Sequence, residues 1–374
     1  MEILLLPAFY TISFQQLCLL RTIVEFFMPA LIFLGIFVLG LVLVDVLITT
    51  LTVGGGGPLT SRISCWVWQS ALKIHRLRSS HRLLLITGWV ILVGTALLWF
   101  LLTWVGWGLI FASSPLDLVS ASSKEPASFF EKIYFVGYTL STLGLGDFQP
   151  IGIGWQLATA VASASGFTLI TLTIAYLLPL VAAASQKRQL AVYISSLGGT
   201  PDEIVARAWN GKDFGQFGQH LIAIAPQIVL QGEQHLTYPI LHYFHNPERF
   251  RSLPLSLTAL DDALTLILYG IPKSAQPDPS ALGSVRRAIT AYLKTLKAAY
   301  VEPVSEKPAA PPLELLRRQE IPTVSTEEFQ AATQHLEQRR KLLLALIQED
   351  GWTWDSIASS QTTNRATSLD EEKF

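Results

Sequence analysis

Charge and cysteine are the two things this chain has little of. Only 15% of its 374 residues are Asp, Glu, Lys or Arg, against about 25% in soluble domains. So few charges cannot cover a surface with solvated groups, which excludes an ordinary water-soluble globule. They nearly cancel as well, at a formal net charge of −1, so no overall field speaks for nucleic acid as a partner. Cys18 and Cys65 sit in or beside apolar segments with no ligand-type spacing, which excludes a disulfide framework and a cysteine metal cluster. No apolar run carries arginine at every third position, so a voltage sensor is excluded. No Gly-x-Gly-x-x-Gly follows a strand pattern, and no cyclic-nucleotide-binding pattern is visible.

Half of the residues are hydrophobic instead, and they fall in long runs. Three of these, about 29–53, 83–112 and 155–184, reach the roughly 20 residues needed to cross a hydrocarbon core. Residues 1–27 are apolar in patches but broken by Pro7, Gln15, Gln16, Arg21 and Glu25, and read as a lead-in or interfacial segment. No positive region precedes Ile3 and no small-residue cleavage site follows, so a signal peptide is not expected. Arg62, Lys73, Arg76, Arg78 and Arg82 lie between the first two runs, and Lys187 and Arg188 follow the third. Basic residues mark the cytoplasmic side. The expected topology is a multi-pass protein of the plasma or bacterial inner membrane, N-terminus outside and C-terminus cytoplasmic. The basic loop, with Trp66, Trp68, Leu72, Ile74 and Leu77, looks like a helix lying on the inner leaflet. Asp45, inside the first run, is expected to be structural, pairing with an arginine of that loop or snorkelling to the interface.

Between the second and third runs, residues 129–141 are too short to span and suit a re-entrant helix. Non-helical backbone at membrane depth is tolerated only where protein buries it or water lines it. The helix would aim its C-terminal end, which carries roughly −0.5 charge, at the following loop and so favour a cation there. That loop reads Thr142-Leu143-Gly144-Leu145-Gly146-Asp147. Aiming successive carbonyls at one axis forces alternate residues into φ > 0, which glycine tolerates, and Gly144 and Gly146 stand at that alternation.

The run resembles the potassium-channel selectivity filter, usually Thr-Val-Gly-Tyr-Gly-Asp. The order span, short helix, filter, span over about 83–184 is similar to that family's pore module. The resemblance implies that Thr142, Leu143, Gly144, Leu145 and Gly146 bind the ion with backbone carbonyls, Thr142 adding its hydroxyl. Ser141, Tyr138 and Asp147 would support the filter, with the Tyr138 hydroxyl or another pore-helix donor bracing Asp147. Leu145 stands where the family usually has tyrosine. Gly166, twenty residues beyond the second filter glycine, and Pro179 would serve as gating hinges. With one filter per chain and rings of four needed, the resemblance implies a homotetramer in a lipid bilayer. Potassium would be the permeant ligand, with no cofactor, no metal site and no enzymatic chemistry. A weakly selective cation channel, a potassium-uptake subunit, and a membrane-anchored scaffold with a non-conducting pore are the alternatives; one pore module per chain argues against the second. The repeat of the motif at Thr52–Gly57 is rejected, because a full span precedes it on the cytoplasmic side.

Beyond Gln186 the chain turns mixed and helical, with helices expected over 201–210, 217–231, 257–269 and 280–300. Thr200, Pro201 and Glu203 form an N-cap signature. Residues 302–322, rich in proline, read as a linker, and Ser325 caps a helix running to about Glu349. The last twenty or so residues read as disordered. His220, His235, His242 and His245 read as scattered surface histidines. The expected organisation is an N-terminal span with basic loop (1–82), a pore module (83–186), a helical cytoplasmic domain (187–300) and a linker, helix and tail (301–374). The fold class is an all-α membrane protein: a two-helix-plus-pore-loop module, an additional N-terminal transmembrane helix and a helical C-terminal region.

Overall fold

A computed structural model describes residues 14–52, 54–299 and 301–358. The first part of the expected lead-in and most of the expected disordered tail lie outside the described residues. The described residues are all-α apart from one short two-stranded ribbon. Apolar runs of this length become helices because only a helix satisfies every backbone group of a lone segment in lipid. Helix α1 spans Phe14–Leu51, α2 Pro58–Arg78, α3 His81–Ala112, α4 Phe129–Leu140 and α5 Ile153–Leu197. The described residues form two compact units, one from the chain up to Leu47 with Ala96–Ala175, the other from Ile48–Thr95 with the chain from Tyr176 on.

In the first unit, Phe111, Phe135, Val136, Leu140 and Ala162 form the main core. Helices α1 and α3 meet at small residues: a Cβ on Gly35 would stand 2.6 Å from the Gly106 carbonyl oxygen, the close approach by which membrane helices gain packing energy. Val42, Val46, Trp99 and Leu169 cluster beside that contact. Asp45 is fully buried here, and the Trp99 indole N–H donates to its Oδ2 at 2.8 Å. Its burial rules out the expected interfacial exposure; a carboxylate among apolar side chains needs a donor at hand, and α3 supplies one.

In the second unit the core is built around α8 (Leu253–Thr265), every residue of which is buried. Among the described residues four helices are long and apolar enough to cross a membrane, the fourth being Leu253–Gly270. Its best window is 89% covered by protein, against 22–39% for the other three, which leaves no apolar face for lipid. Its Asp261 accepts from Arg339 at 2.9 and 3.1 Å, and Arg286 lies 2.7 Å away. It is a core helix of the C-terminal region.

Around it stand α6 (Pro201–Ala208), α7 (Phe217–Thr237), α9 (Pro279–Ala299), α10 (Glu314–Arg318), α11 (Thr326–Thr333) and α12 (Glu337–Glu349). The expected cap forms: Thr200 Oγ1 accepts from the Glu203 N–H at 3.3 Å, and the Gly199 N–H donates to the Glu203 carboxylate at 2.8 Å. Ser325 likewise accepts from the Glu328 N–H at 3.1 Å. The helix expected from there to Glu349 is instead two, α11 and α12, parted by a 3-10 turn.

Residues 302–322 differ from the linker expectation. Leu313, Leu316 and Ile321 are buried in the core with Val301, so apolar residues between the prolines hold the stretch down. Two of the histidines are also misplaced by the sequence reading. His235 and His245 are buried, the first with Nδ1 2.8 Å from the Gln231 carbonyl, the second with Nε2 3.1 Å from His81 Nδ1. No group of three or more metal-ligating side chains occurs among the described residues.

Helix α2 belongs to this unit and has two unlike faces. Trp68, Ala71, Leu72 and His75 are buried, with the Trp68 indole donating to the Glu349 carbonyl at 3.3 Å and His75 Nε2 2.9 Å from the Gly351 carbonyl. Trp66 and Leu77 point outward, 73% and 85% exposed. The helix expected on the inner leaflet therefore spends one face on protein and leaves Trp66 and Leu77 exposed on the other.

Candidate functional site

The first unit presents α4 and the loop after it. Helix α4 has 12 residues, about 18 Å at 1.5 Å per residue, well short of a bilayer core. Its start is capped by Glu131, whose carboxylate accepts from the Ser128 N–H at 2.7 Å. Its final carbonyls turn the chain into the loop. The Thr142 N–H donates to Thr139 O at 3.1 Å, the Leu143 N–H to Tyr138 O at 2.9 Å, and Ser141 Oγ to Tyr138 O at 3.2 Å.

From there φ alternates in sign. Thr142 (φ 58°), Gly144 (58°) and Gly146 (80°) lie in the left-handed region, while Leu143 and Leu145 between them do not. Alternation of left- and right-handed residues turns successive carbonyls toward one side of the strand. At Gly144 and Gly146 this conformation is unstrained; at Thr142 it costs energy and marks a constrained site. Residues 141–147 are all exposed, and a Cβ on either glycine would meet nothing within 4 Å. The side chains of Leu143 and Leu145 are 63% and 49% exposed. The loop is thus both strained at Thr142 and bare of protein along its length.

The loop is held at both ends. After it, β2 (Phe148–Pro150) pairs antiparallel with β1 (Leu118–Ser120), the Ala121 N–H donates to Asp147 O at 2.8 Å, and the Ile151 N–H to Asp117 O at 2.8 Å. Beneath the ribbon, Lys132 of α4 forms a buried ion pair with Asp117 and donates to the carbonyls of Ser114 and, at 3.1 Å, Phe111. Sequence reasoning missed this pair. The available signal was a lone lysine within the apolar face of a helix too short to span.

Asp147 is braced by Tyr134, whose hydroxyl donates to Oδ2 at 3.3 Å. The sequence named Tyr138 or another pore-helix donor. Tyr138 is buried one turn away and its hydroxyl makes no hydrogen bond to Asp147, so the other donor takes the role. Gly166 faces Leu140, and a Cβ there would overlap the Leu140 carbonyl. Its absent side chain thus has a packing reason besides the hinge expected of it. Pro179 lies inside α5, which continues unbroken to Leu197. Trp104 and Trp107 tie α3 to this assembly, donating to Ile133 O at 2.8 Å and Ser165 Oγ at 3.0 Å.

Comparison with known proteins bears on the same segment. A profile of a family described as ion channel matches residues 98–182. The membrane protein YdjJ of Bacillus subtilis (strain 168) is 38% identical over 322 residues, 86% of this chain and 94% of its own. Protein LctB of Bacillus caldotenax is 35% identical over 95 residues, 23% of this chain and 67% of its own. No solved structure matches.

Proposed function

The chain belongs to the two-helix ion channel family, and on that premise we propose that it is a homotetrameric, potassium-selective channel. Four copies bring four 142–147 loops around one axis, where rings of carbonyls replace the water a potassium ion sheds. Thr142, Leu143, Gly144, Leu145 and Gly146 supply those carbonyls, and the Thr142 hydroxyl adds oxygens at the inner end. The observation that carries this reading is the alternating φ of Thr142, Gly144 and Gly146 on a face left bare in one subunit.

Ser141 and the Tyr134–Asp147 hydrogen bond hold the loop's ends, and the C-terminal end of α4 adds a negative potential at the inner mouth. The ion moves down its own gradient, so the protein contributes dehydration, selectivity and a gate, for which bending of α5 near Gly166 or Pro179 is the candidate. The N-terminus lies outside and the C-terminal region in the cytoplasm, as the basic residues direct.

Leu145 favours one second reading, a weakly selective cation channel. Half-exposed, it has no phenol to anchor the loop to surrounding helices. Reversal potentials of purified protein in bilayers, under opposed potassium and sodium gradients, separate the two. A potential near the potassium equilibrium value, abolished with the current by Gly144→Ala, supports the selective channel. A potential near zero supports the weakly selective one. An intact tetramer without current sinks both and leaves a non-conducting scaffold.

A further inference from the structure

The proposed pore leaves the junction between α1 and α2 without a role. There the chain runs through Gly54, Gly55, Gly56 and Gly57 into the N-terminus of the 21-residue α2. Gly54 holds φ +105°, open only to glycine without strain. The loop and the first turns of α2 wall a cavity of about 390 Å³, all of whose lining belongs to the second unit. That size falls in the range of small-molecule sites.

Three observations of different kinds meet here. The N-terminus of a long helix carries roughly half a positive charge and favours anions. Ser64, which lines the cavity, is 2% exposed and its hydroxyl has no hydrogen-bond partner among the described residues. A buried polar group in that state is costly unless a ligand satisfies it. Finally, two loop amides are uncommitted: Gly54 donates to Leu236 O at 3.1 Å and Gly57 to Thr49 Oγ1 at 2.8 Å, but Gly55 and Gly56 donate to no described residue.

Amides and serine hydroxyls are all donors, and several converging donors suit a group with three or four acceptor oxygens better than a two-oxygen carboxylate. Further along the cavity Trp68 and Tyr243 form an aromatic wall, ring centroids 5.6 Å apart. The acidic group in the lining, Glu349, is engaged on α2, where it accepts from Gln69 at 3.2 Å, eight residues along the helix from Ser61 and five from Ser64. We propose that this cavity binds the phosphate group of a small phosphate ester. The amides of Gly55 and Gly56 and the hydroxyls of Ser61 and Ser64 donate to its oxygens, and its organic part lies against Trp68.

The test is binding, so it stands or falls apart from conduction. Full-length protein in phosphatidylcholine nanodiscs is titrated with inorganic phosphate and with AMP, following the thermal midpoint and the heat of binding. A saturable rise in midpoint is expected. Ser64→Ala is expected to weaken binding about tenfold while leaving the ligand-free midpoint unchanged or higher, since it removes an orphaned hydroxyl. Gly55→Val, which fills open space beside the loop, is expected to abolish binding. A rise only in nanodiscs containing phosphatidic acid, lost in the same variants, assigns the phosphate to a lipid headgroup. No response to any of the three probes, or Ser64→Ala binding like the wild type, overturns the proposal.

Discussion

Gly166 of α5 lies directly against the backbone of Leu140, the last residue of α4, so closely that a Cβ at 166 would overlap the Leu140 carbonyl. Leu140 directly precedes the 141–147 loop, so α5 sets the position of the loop's base.

Gly166→Ala should therefore destabilise the first unit by about 1–3 kcal/mol, the usual cost of overpacking, beyond any change in helix propensity. Gly154→Ala in the same helix, where a Cβ meets nothing within 4 Å, serves as the control. Thermal melts of the two variants in detergent check this. Equal midpoints would mean that Gly166 is kept for bending rather than packing.

Tyr134→Phe removes the hydrogen bond to Asp147 and leaves the ring contacts. It should reduce selectivity or shorten open times while the subunit remains folded. Tyr138→Phe should leave both nearly unchanged, because its hydroxyl does not reach Asp147. Single-channel recordings of both variants decide, and the opposite ranking would return the brace to Tyr138.

Lys132→Met strands the Asp117 carboxylate in a site where both side chains are 5% exposed or less. Breaking a buried pair from one side costs about 3–5 kcal/mol, so expression or melting temperature should fall sharply. Lys132→Met with Asp117→Asn should recover part of the loss. A double variant no better than the single one would show that the carbonyls of Phe111 and Ser114 are the partners that matter.

Acid should loosen the second unit. Burial holds His242 down at about 4 against an ordinary value of 6.5, with the nearby Lys187 charge acting the same way, and burial lowers His235 well below 6.5. Between pH 6.5 and about 4 the unfolded chain binds these protons and the folded chain does not, so stability falls as pH falls through that window. Replacing His242 with glutamine should flatten the slope there and leave it unchanged above pH 7. Denaturant midpoints at pH 7, 6, 5 and 4.5 measure it, and parallel profiles for the two proteins would exclude His242.

What could be seen in the sequence is local. The three spans follow from lipid's demand for internally bonded backbone, α4 from an apolar stretch too short to cross, and the positive φ of Gly144 and Gly146 from the one residue type that adopts it freely. The caps at Thr200 and Ser325 are equally local, three residues from signal to partner.

Pairings across the chain had no such signature. Asp45 finds Trp99, Lys132 finds Asp117, and Asp147 is reached by Tyr134 and not Tyr138, each chosen by which side chain packing brings within about 3 Å. The burial of Leu313, Leu316 and Ile321, and the protein cover on Leu253–Gly270, likewise come from neighbours distant in sequence. Hydropathy says that a residue will leave water. Whether lipid or protein receives it is settled by the summed contacts of a folded core, and for α8 and the proline-rich stretch only the tertiary structure supplies them.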